Sequence, residues 1–138
     1  MPICYVHLAM SAFTLDVLAP DLIAAVRAGL PVSAVDEALA SGRVTAAELD
    51  RLAIPRKTLA HRRAKGRLTS DQSDRLLRVL RIVTEAETTF ADRTRAGIWL
   101  RRPTTALGGE APLDLLDTEI GARQVETLLG RIAHGIAA

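Results

Sequence analysis

Two capping boxes frame the middle of this 138-residue chain, and each marks the first turn of a helix. Thr45 is followed three residues later by Glu48, and Thr69 by Gln72. In such a pair, the hydroxyl and the carboxylate or amide each accept a hydrogen bond from a backbone N–H group that the helix leaves free. Between the two boxes, Pro55 breaks one helix and opens the next. The sequence therefore predicts two successive helices joined by a tight turn, the pattern of a helix-turn-helix.

The composition favours helices along the whole chain. Hydrophobic residues make up 49% of the sequence but aromatic residues only 3%, so the core is built mainly from Leu, Ile, Val and Ala. Ala and Leu favour helix, and strand-forming aromatics are scarce. Caps, stops and apolar periodicity predict helices over 21–28, from the cap Ser33 to Gly42, from the cap Thr45, from Pro55 to Lys65 with Gly66 as the stop, from the cap Thr69 to Phe90, from the cap Asp92 to Leu100, over 111–116 and over 119–134. We therefore expect an all-α protein.

Basic side chains are concentrated in one segment. Residues 51–67 carry seven basic groups and no acid. Residues 1–50 carry two basic and six acidic groups, and residues 68–138 carry nine basic and ten acidic groups. The segment coincides with the second helix of the predicted helix-turn-helix, where Arg and Lys suit the phosphates and base edges of a duplex. A solvated helix face is the alternative interpretation. The predicted DNA-contacting residues are Arg56, Lys57, Thr58, His61, Arg62 and Lys65.

The sequence shows no constellation of residues typical of catalysis or metal binding. Cys4 is the single cysteine, which excludes an intramolecular disulfide, argues against a cysteine-based zinc site and fits a reducing, cytoplasmic setting. The three histidines lack ligand spacing. The pair Gly108-Gly109 has no preceding strand and no following Lys-Ser/Thr, so it is no phosphate loop. We predict no catalytic residue, metal, cofactor or membrane helix, and a protein that is not an enzyme.

Two apolar features leave alternatives open. The long helix predicted from Thr69 has a broader apolar face than one small core needs, which indicates either a homodimer or packing on neighbouring helices. A homodimer would place two reading helices on a palindromic site. Around the glycine pair, Trp99 forms an apolar block with Leu107, Pro112 and Leu113. That block is either ordinary core or a ridge that binds a partner, since a lone large aromatic is a favoured anchor.

An ordered series of short motifs in the C-terminal half is similar to one known family. The motifs are Ser73–Leu76, Ala96–Leu100, Pro103, Ala106–Gly109, Ala111–Leu116, Gly121, Val125, Leu128–Ile132 and Gly135. Their order and spacing resemble those of the Xre/MbcA/ParS antitoxins, and the resemblance covers residues 45–138. It implies an Xre-like helix-turn-helix N-terminal part followed by a helical C-terminal toxin-binding domain.

The resemblance also implies a partner and a mode of action. Such antitoxins pair with RES-domain toxins that attack NAD by hydrolysis, phosphorolysis or ADP-ribose transfer. Their C-terminal region blocks the toxin's NAD pocket, and the complex commonly represses its own operon. Here the blocking element would be Arg131–Ala138, although His134 stands where many relatives have an aromatic residue. The implied toxin-binding residues are Trp99, Leu107, Gly108, Gly109, Pro112, Leu113, Arg131, Ile132, His134, Gly135 and Ile136.

The chain is therefore expected to have three parts. Residues 1–14 form an N-terminal tail or arm, residues 15–68 a helix-turn-helix DNA-binding part, and residues 69–138 a helical dimerisation and toxin-binding domain. We expect a cytoplasmic, homodimeric antitoxin of a type II toxin–antitoxin system that binds a RES-domain toxin, operator DNA and no membrane. The alternative is a dimeric helix-turn-helix transcriptional repressor without a toxin partner, whose C-terminal part serves only to dimerise.

Overall fold

The structure, a computed structural model, describes residues 20–135. Within that range the chain forms α-helices, two short 3-10 helices and no β-strand. The α-helices are α1 (Pro20–Ala28), α2 (Ser33–Ala40), α3 (Ala46–Leu52), α4 (Arg56–Lys65), α5 (Ser70–Phe90), α6 (Arg93–Arg101) and α7 (Glu119–Ala133). The 3-10 helices are Thr105–Leu107 and Pro112–Asp117. The all-α prediction is confirmed, and no helix in this range is long and apolar enough to cross a membrane.

Local capping signals set most of the helix starts, as predicted. In both capping boxes the two reciprocal hydrogen bonds form: Thr45 with Glu48 at 2.9 and 3.2 Å, and Thr69 with Gln72 at 2.9 and 3.1 Å. The carboxylate of Asp92 accepts from the first-turn amides of α6, at 2.7 Å from the Thr94 nitrogen. These side chains satisfy amides that have no partner within their own helix.

Two predicted helix starts were wrong by one residue. Ser33 is the first residue of α2 rather than its cap, and the preceding Val32 uses its N–H to bond the Gly66 carbonyl at 3.1 Å. Pro55 precedes α4 instead of opening it, because its ψ of 145° lies outside the helical range. The first amide of α4, that of Arg56, is satisfied by the Asp50 carboxylate at 2.6 Å.

Helix α5 lies at the centre of a single hydrophobic core. Leu76, Val79, Leu80 and Ile82 on α5 are fully buried, and α5 packs against α1, α3, α6, α7 and the second 3-10 helix. The core cluster includes side chains from both halves of the chain, from Leu30 to Leu129. The broad apolar face of α5 is therefore explained by packing within one chain. Of the two interpretations of this face, packing on neighbouring helices accounts for it without a second copy.

The loop between α1 and α2 and the loop after α4 are held together by backbone contacts. Residues 29–32 run beside residues 66–68, with an isolated antiparallel bridge between Pro31 and Arg67 and a 2.8 Å bond from the Leu68 N–H to the Leu30 carbonyl. Gly29 has a φ of +90°, and a Cβ there would lie 2.1 Å from the Leu68 carbonyl oxygen. Only glycine allows so close an approach, so this position sets how the loop after α4 packs on the loop after α1.

Ion pairs connect the N-terminal helices to the C-terminal ones. Arg43, whose side chain is 6% exposed, bonds Glu87 of α5 at 2.6 Å. Arg101 of α6 bonds Glu48 of α3 at 2.8 Å, and Arg51 of α3 pairs with Asp114 of the second 3-10 helix. The two halves are thus joined by buried and exposed contacts as well as by α5, and the predicted boundary at residue 68 stays a prediction.

Candidate functional site

Helix α4 stands at the edge of the fold with most of its basic side chains in solvent. None of its residues is buried, and Leu59 and Thr58 are half-buried where the helix meets the core. It follows α3 through the short turn 53–55, which places it as the second helix of the predicted helix-turn-helix. A protruding helix with an unburied basic face suits the major groove of a duplex.

The seven basic residues of segment 51–67 divide into two groups. The side chains of four bond other parts of the chain. Arg51 pairs with Asp114 and Arg63 with Asp36, while Arg62 donates to the Arg67 carbonyl at 2.7 Å and Arg67 to the Gly29 carbonyl at 3.2 Å. The side chains of the other three have no partner among residues 20–135. They are Arg56, Lys57 and Lys65. The charge available to a ligand is therefore smaller than the sequence indicated.

Arg63 is a structural residue. Its guanidinium makes two bonds to the Asp36 carboxylate, at 2.9 and 3.1 Å, and so ties α4 to α2. This hydrogen bonding, with the positive charge of Arg63, holds the pKa of Asp36 below its ordinary value despite the opposing effect of burial. The predicted DNA residues Arg56, Lys57, His61 and Lys65 are exposed, and Thr58 and Arg62 are half-buried.

The apolar block around Trp99 belongs mainly to the core. Trp99 is 9% exposed and packs on Phe90 with ring centroids 5.5 Å apart, while Pro112 and Leu113 are buried. Leu107 is half-buried against the same cluster. These side chains fit the ordinary-core interpretation in this conformation. Leu107 packs on this core from an exposed loop.

That loop, residues 104–110, is closed on itself. The Thr104 N–H bonds the Glu110 carbonyl at 3.1 Å, and the Gly109 N–H returns to the Thr104 carbonyl at 3.0 Å. Gly108 and Gly109 have φ values of +70° and +84° and are exposed at the tip, with open space around both. The tip therefore exposes backbone groups to solvent, while Leu107 holds the loop against the core.

The end of α7 has several exposed side chains and one side chain that packs on the core. Ile132 is half-buried against the core, whereas Arg131, His134 and Gly135 are exposed. The Arg131 guanidinium has no partner among the described residues. Ile136 and the rest of the predicted blocking element lie outside the described residues. The last turn of α7 is therefore anchored on the core by Ile132 and exposes the guanidinium of Arg131.

A second basic surface escaped the sequence analysis. Residues 93–109 contain four arginines and no acid, a signal that was present but weaker than that of segment 51–67. In the structure, Arg93, Arg101 and Arg102 border an open groove of about 820 Å³ between α6, α5 and the loop at 41–43. We call this the α6 groove. Ile98 stands at its edge with 59% of its surface exposed.

Metal-binding geometry does not occur in the described part of the chain. No three His, Cys, Asp or Glu side chains among residues 20–135 lie where they would hold an ion. Cys4 and His7 fall outside that range. The predicted absence of catalytic residues, metal and cofactor remains a prediction.

Comparison with known proteins covers almost all of the described chain. Residues 21–81 match the model of the antitoxin Xre-like helix-turn-helix domain, and residues 85–135 match that of the antitoxin Xre/MbcA/ParS C-terminal toxin-binding domain. The boundary between the two matches falls inside α5, the helix that both halves pack on.

Three relatives, each named Antitoxin Xre, are similar over much of their length. The chain is 38% identical over 120 residues to the one from Photorhabdus laumondii, covering 85% of this chain and 81% of the relative. It is 34% identical over 118 residues to the one from Yersinia enterocolitica, covering 83% and 80%. It is 39% identical over 95 residues to the one from Pseudomonas putida, covering 68% and 59%.

Proposed function

The chain belongs to the Xre/MbcA/ParS family of antitoxins, and we propose that it neutralises a RES-domain toxin by blocking that toxin's active site with its C-terminal region. The toxin would consume NAD or transfer ADP-ribose from it. The observation that carries the proposal is the end of α7, where Arg131 is exposed and unpaired among the described residues while Ile132 anchors the helix. The match of residues 85–135 to a toxin-binding domain favours this over a repressor without a toxin partner.

The mechanism follows from what an arginine can do in an enzyme pocket. A site that binds the phosphates and ribose of NAD offers polar groups and space for a planar, charged fork. Arg131 entering such a site would occupy it without undergoing any reaction. The rest of the C-terminal domain supplies affinity, and the last turn of α7 supplies inhibition.

The test separates inhibition from binding. Arg131→Ala, and a chain lacking residues 134–138, keep Ile132 and so keep every described core residue. Both should still bind the toxin, but NAD should now fall in a mixture of toxin and variant. Arg123→Ala is the matched control, since Arg123 is 77% exposed on the same helix but about two turns earlier. Full neutralisation by Arg131→Ala would contradict the blocking role of Arg131, and full neutralisation by the shortened chain would contradict a role for residues 134–138.

Repression of its own operon is the second part of the proposal. The unpaired side chains of Arg56, Lys57 and Lys65 on α4 support contact with phosphates, and each such contact makes binding more sensitive to salt. The double variant Arg56→Glu, Lys57→Glu should abolish binding to the DNA upstream of its gene and leave toxin binding unchanged. Arg62 is avoided because its bond to the Arg67 carbonyl stabilises the loop after α4.

The control for that experiment reverses two exposed arginines outside α4. Arg95→Glu with Arg123→Glu changes the net charge by the same amount, and both residues are exposed. Fluorescence anisotropy with labelled operator DNA at several salt concentrations measures both affinity and salt slope. Equal losses for the two double variants would mean that net charge, rather than the α4 surface, drives binding.

A homodimer in the cytoplasm completes the proposal, since two α4 helices are needed for a two-fold symmetric operator. With the α5 face buried in its own core, one apolar surface among the described residues that a second copy could cover is the groove beside α1, with Leu22, Ile23 and Leu77. Ile23 is 46% exposed there. Ile23→Asp should convert the dimer to a monomer in light scattering, and a wild-type chain of monomeric mass would contradict this part.

A further inference from the structure

The α6 groove is not used by any part of the proposed function. It lies where the two halves of the chain meet, with the loop at 41–43 on one side and α6 on the other. None of the predicted DNA-contacting or toxin-binding residues lines it. Its volume of about 820 Å³ is large for a chain of this size, and it is open to solvent along its length.

The lining of the α6 groove is strongly basic. Arg43, Arg93, Arg101 and Arg102 face it, against the single lining carboxylate of Glu87. Arg43 and Arg93 both contact Glu87, at 2.6 and 3.4 Å. The Arg102 guanidinium has no partner among the described residues, and Arg101 bonds Glu48 outside the lining. Positive charge therefore exceeds negative charge at the outer edge of the groove.

An apolar side chain accompanies this charge. Ile98 is exposed at the groove's edge, and the buried side chains of Ala96 and Leu100 flank it on α6. Gly97 keeps the space open: a Cβ there would lie 3.1 Å from the Arg101 guanidinium, which folds back to bond the Gly97 carbonyl.

We propose that the α6 groove receives an acidic segment of the partner toxin, with an apolar side chain of that segment seated on Ile98. Charge complementarity selects the acidic partner, and the exposed isoleucine selects a protein over a nucleic acid, because duplex interfaces are polar and place phosphates against the protein. Helix α6 also lies wholly within the part of the chain that matches the toxin-binding domain. The inference rests on the proposed function, which supplies the toxin as the partner.

The test uses two matched pairs of variants in the full chain. Arg102→Glu is compared with Arg95→Glu, an exposed arginine of α6 outside the groove lining. Ile98→Ala is compared with Ile120→Ala, which is 74% exposed at the start of α7. Affinity is measured by calorimetry against a catalytically inactive form of the RES-domain toxin proposed as its partner, and circular dichroism checks that each variant is folded.

We expect Arg102→Glu to weaken toxin binding by about tenfold or more and Ile98→Ala by about tenfold, with both controls within about twofold. Added salt should weaken wild-type binding more than binding of Arg102→Glu. Unchanged toxin affinity for Arg102→Glu and Ile98→Ala overturns the inference. So does a selective loss of operator binding, which would assign the groove to nucleic acid, or a change in oligomeric mass, which would assign it to a second copy.

Failure of the inference is distinguishable from failure of the proposed function. A wild-type chain that does not bind the toxin overturns both. If the chain shortened at residue 133 binds the toxin but no longer inhibits it, while the groove variants bind as wild type does, only the groove inference fails. If the groove variants lose affinity but the shortened chain still inhibits fully, the groove stands and the blocking role of the last residues falls.

Discussion

At the scale of single residues, two glycines of α7 should respond in opposite ways to replacement by alanine. A Cβ at Gly121 would lie 1.9 Å from the Leu115 carbonyl oxygen, whereas at Gly130 it would meet nothing within 4 Å. Gly121→Ala must push α7 away from the second 3-10 helix, and we expect it to lower the free energy of unfolding by about 1–3 kcal/mol. Gly130→Ala should raise it by about 0.5–1 kcal/mol. Urea denaturation measures both, and equal effects would contradict the close approach at Gly121.

Two glutamates should affect acid stability in opposite directions. Burial raises the pKa of Glu48, but its hydrogen bonds from Arg101 and Thr45 outweigh burial and leave the pKa below its ordinary 4.5. Its stabilising effect is therefore complete above pH 4.5 and lost as the pH falls through the lowered folded-state value. Burial, together with the charge of Glu126, raises the pKa of Glu85, which therefore opposes folding when ionised.

The predicted outcome is a pair of contrasting pH profiles. Glu48→Gln should lower stability at pH 7 and flatten its decline below about pH 4.5. Glu85→Gln should raise stability at pH 7, and its advantage should shrink as the pH falls, because wild-type Glu85 then takes up a proton in the folded chain. Thermal unfolding between pH 3 and 7 tests both. Parallel profiles for the two variants would contradict the opposite signs of their pKa shifts.

At the scale of secondary-structure elements, the buried hydroxyl of Ser73 connects the loop after α1 to the start of α5. Ser73 accepts a 2.8 Å hydrogen bond from the Leu30 N–H and donates one of 2.7 Å to the Thr69 carbonyl. Ser73→Ala leaves the Leu30 N–H buried without a side-chain acceptor, so we expect a loss of about 1–3 kcal/mol. Hydrogen exchange should show faster exchange at Leu30. Ser70→Ala, at an exposed position on the same helix, is the control and should have little effect.

The elements themselves were largely predictable from sequence because their signals are local. The boxes at Thr45 and Thr69, the cap at Asp92 and the left-handed Gly66 all depend on neighbours within a few residues, and all were confirmed. The start of α2 was misplaced because Val32 bonds Gly66, which is distant in sequence. A local pattern carries no information about such a partner.

The surfaces were less predictable for the same reason. Five of the seven basic residues of segment 51–67 lie on α4, the predicted second helix, but only contacts with distant residues decide which of these charges are available. Arg63 is bound by Asp36 and Arg51 by Asp114, and no spacing in the sequence reveals either pair. The α6 groove was missed because one of its walls, the loop at 41–43, comes from the other half of the chain.

At the scale of the whole molecule, one hydrophobic core spans both halves of the chain. The clustered side chains run from Leu30 and Leu49 in the N-terminal helices, through α5, to Leu129 in α7. Arg43–Glu87 and Glu48–Arg101 add charged contacts across the same junction. A chain built this way is expected to unfold as one cooperative unit, even though its two halves match separate domain models.

Trp99 makes this expectation testable, because the chain's single tryptophan lies in the C-terminal half and reports unfolding there. Leu49→Ala removes a side chain of α3 that is 5% exposed, and we expect a loss of about 2–5 kcal/mol. If the core is shared, the urea midpoint should fall equally whether Trp99 fluorescence or far-ultraviolet circular dichroism is followed. Ile120→Ala, at an exposed site, should shift neither. A fluorescence midpoint that stays at its wild-type value in Leu49→Ala would mean that the C-terminal half unfolds alone, and that α5 does not couple the helix-turn-helix part to the C-terminal domain.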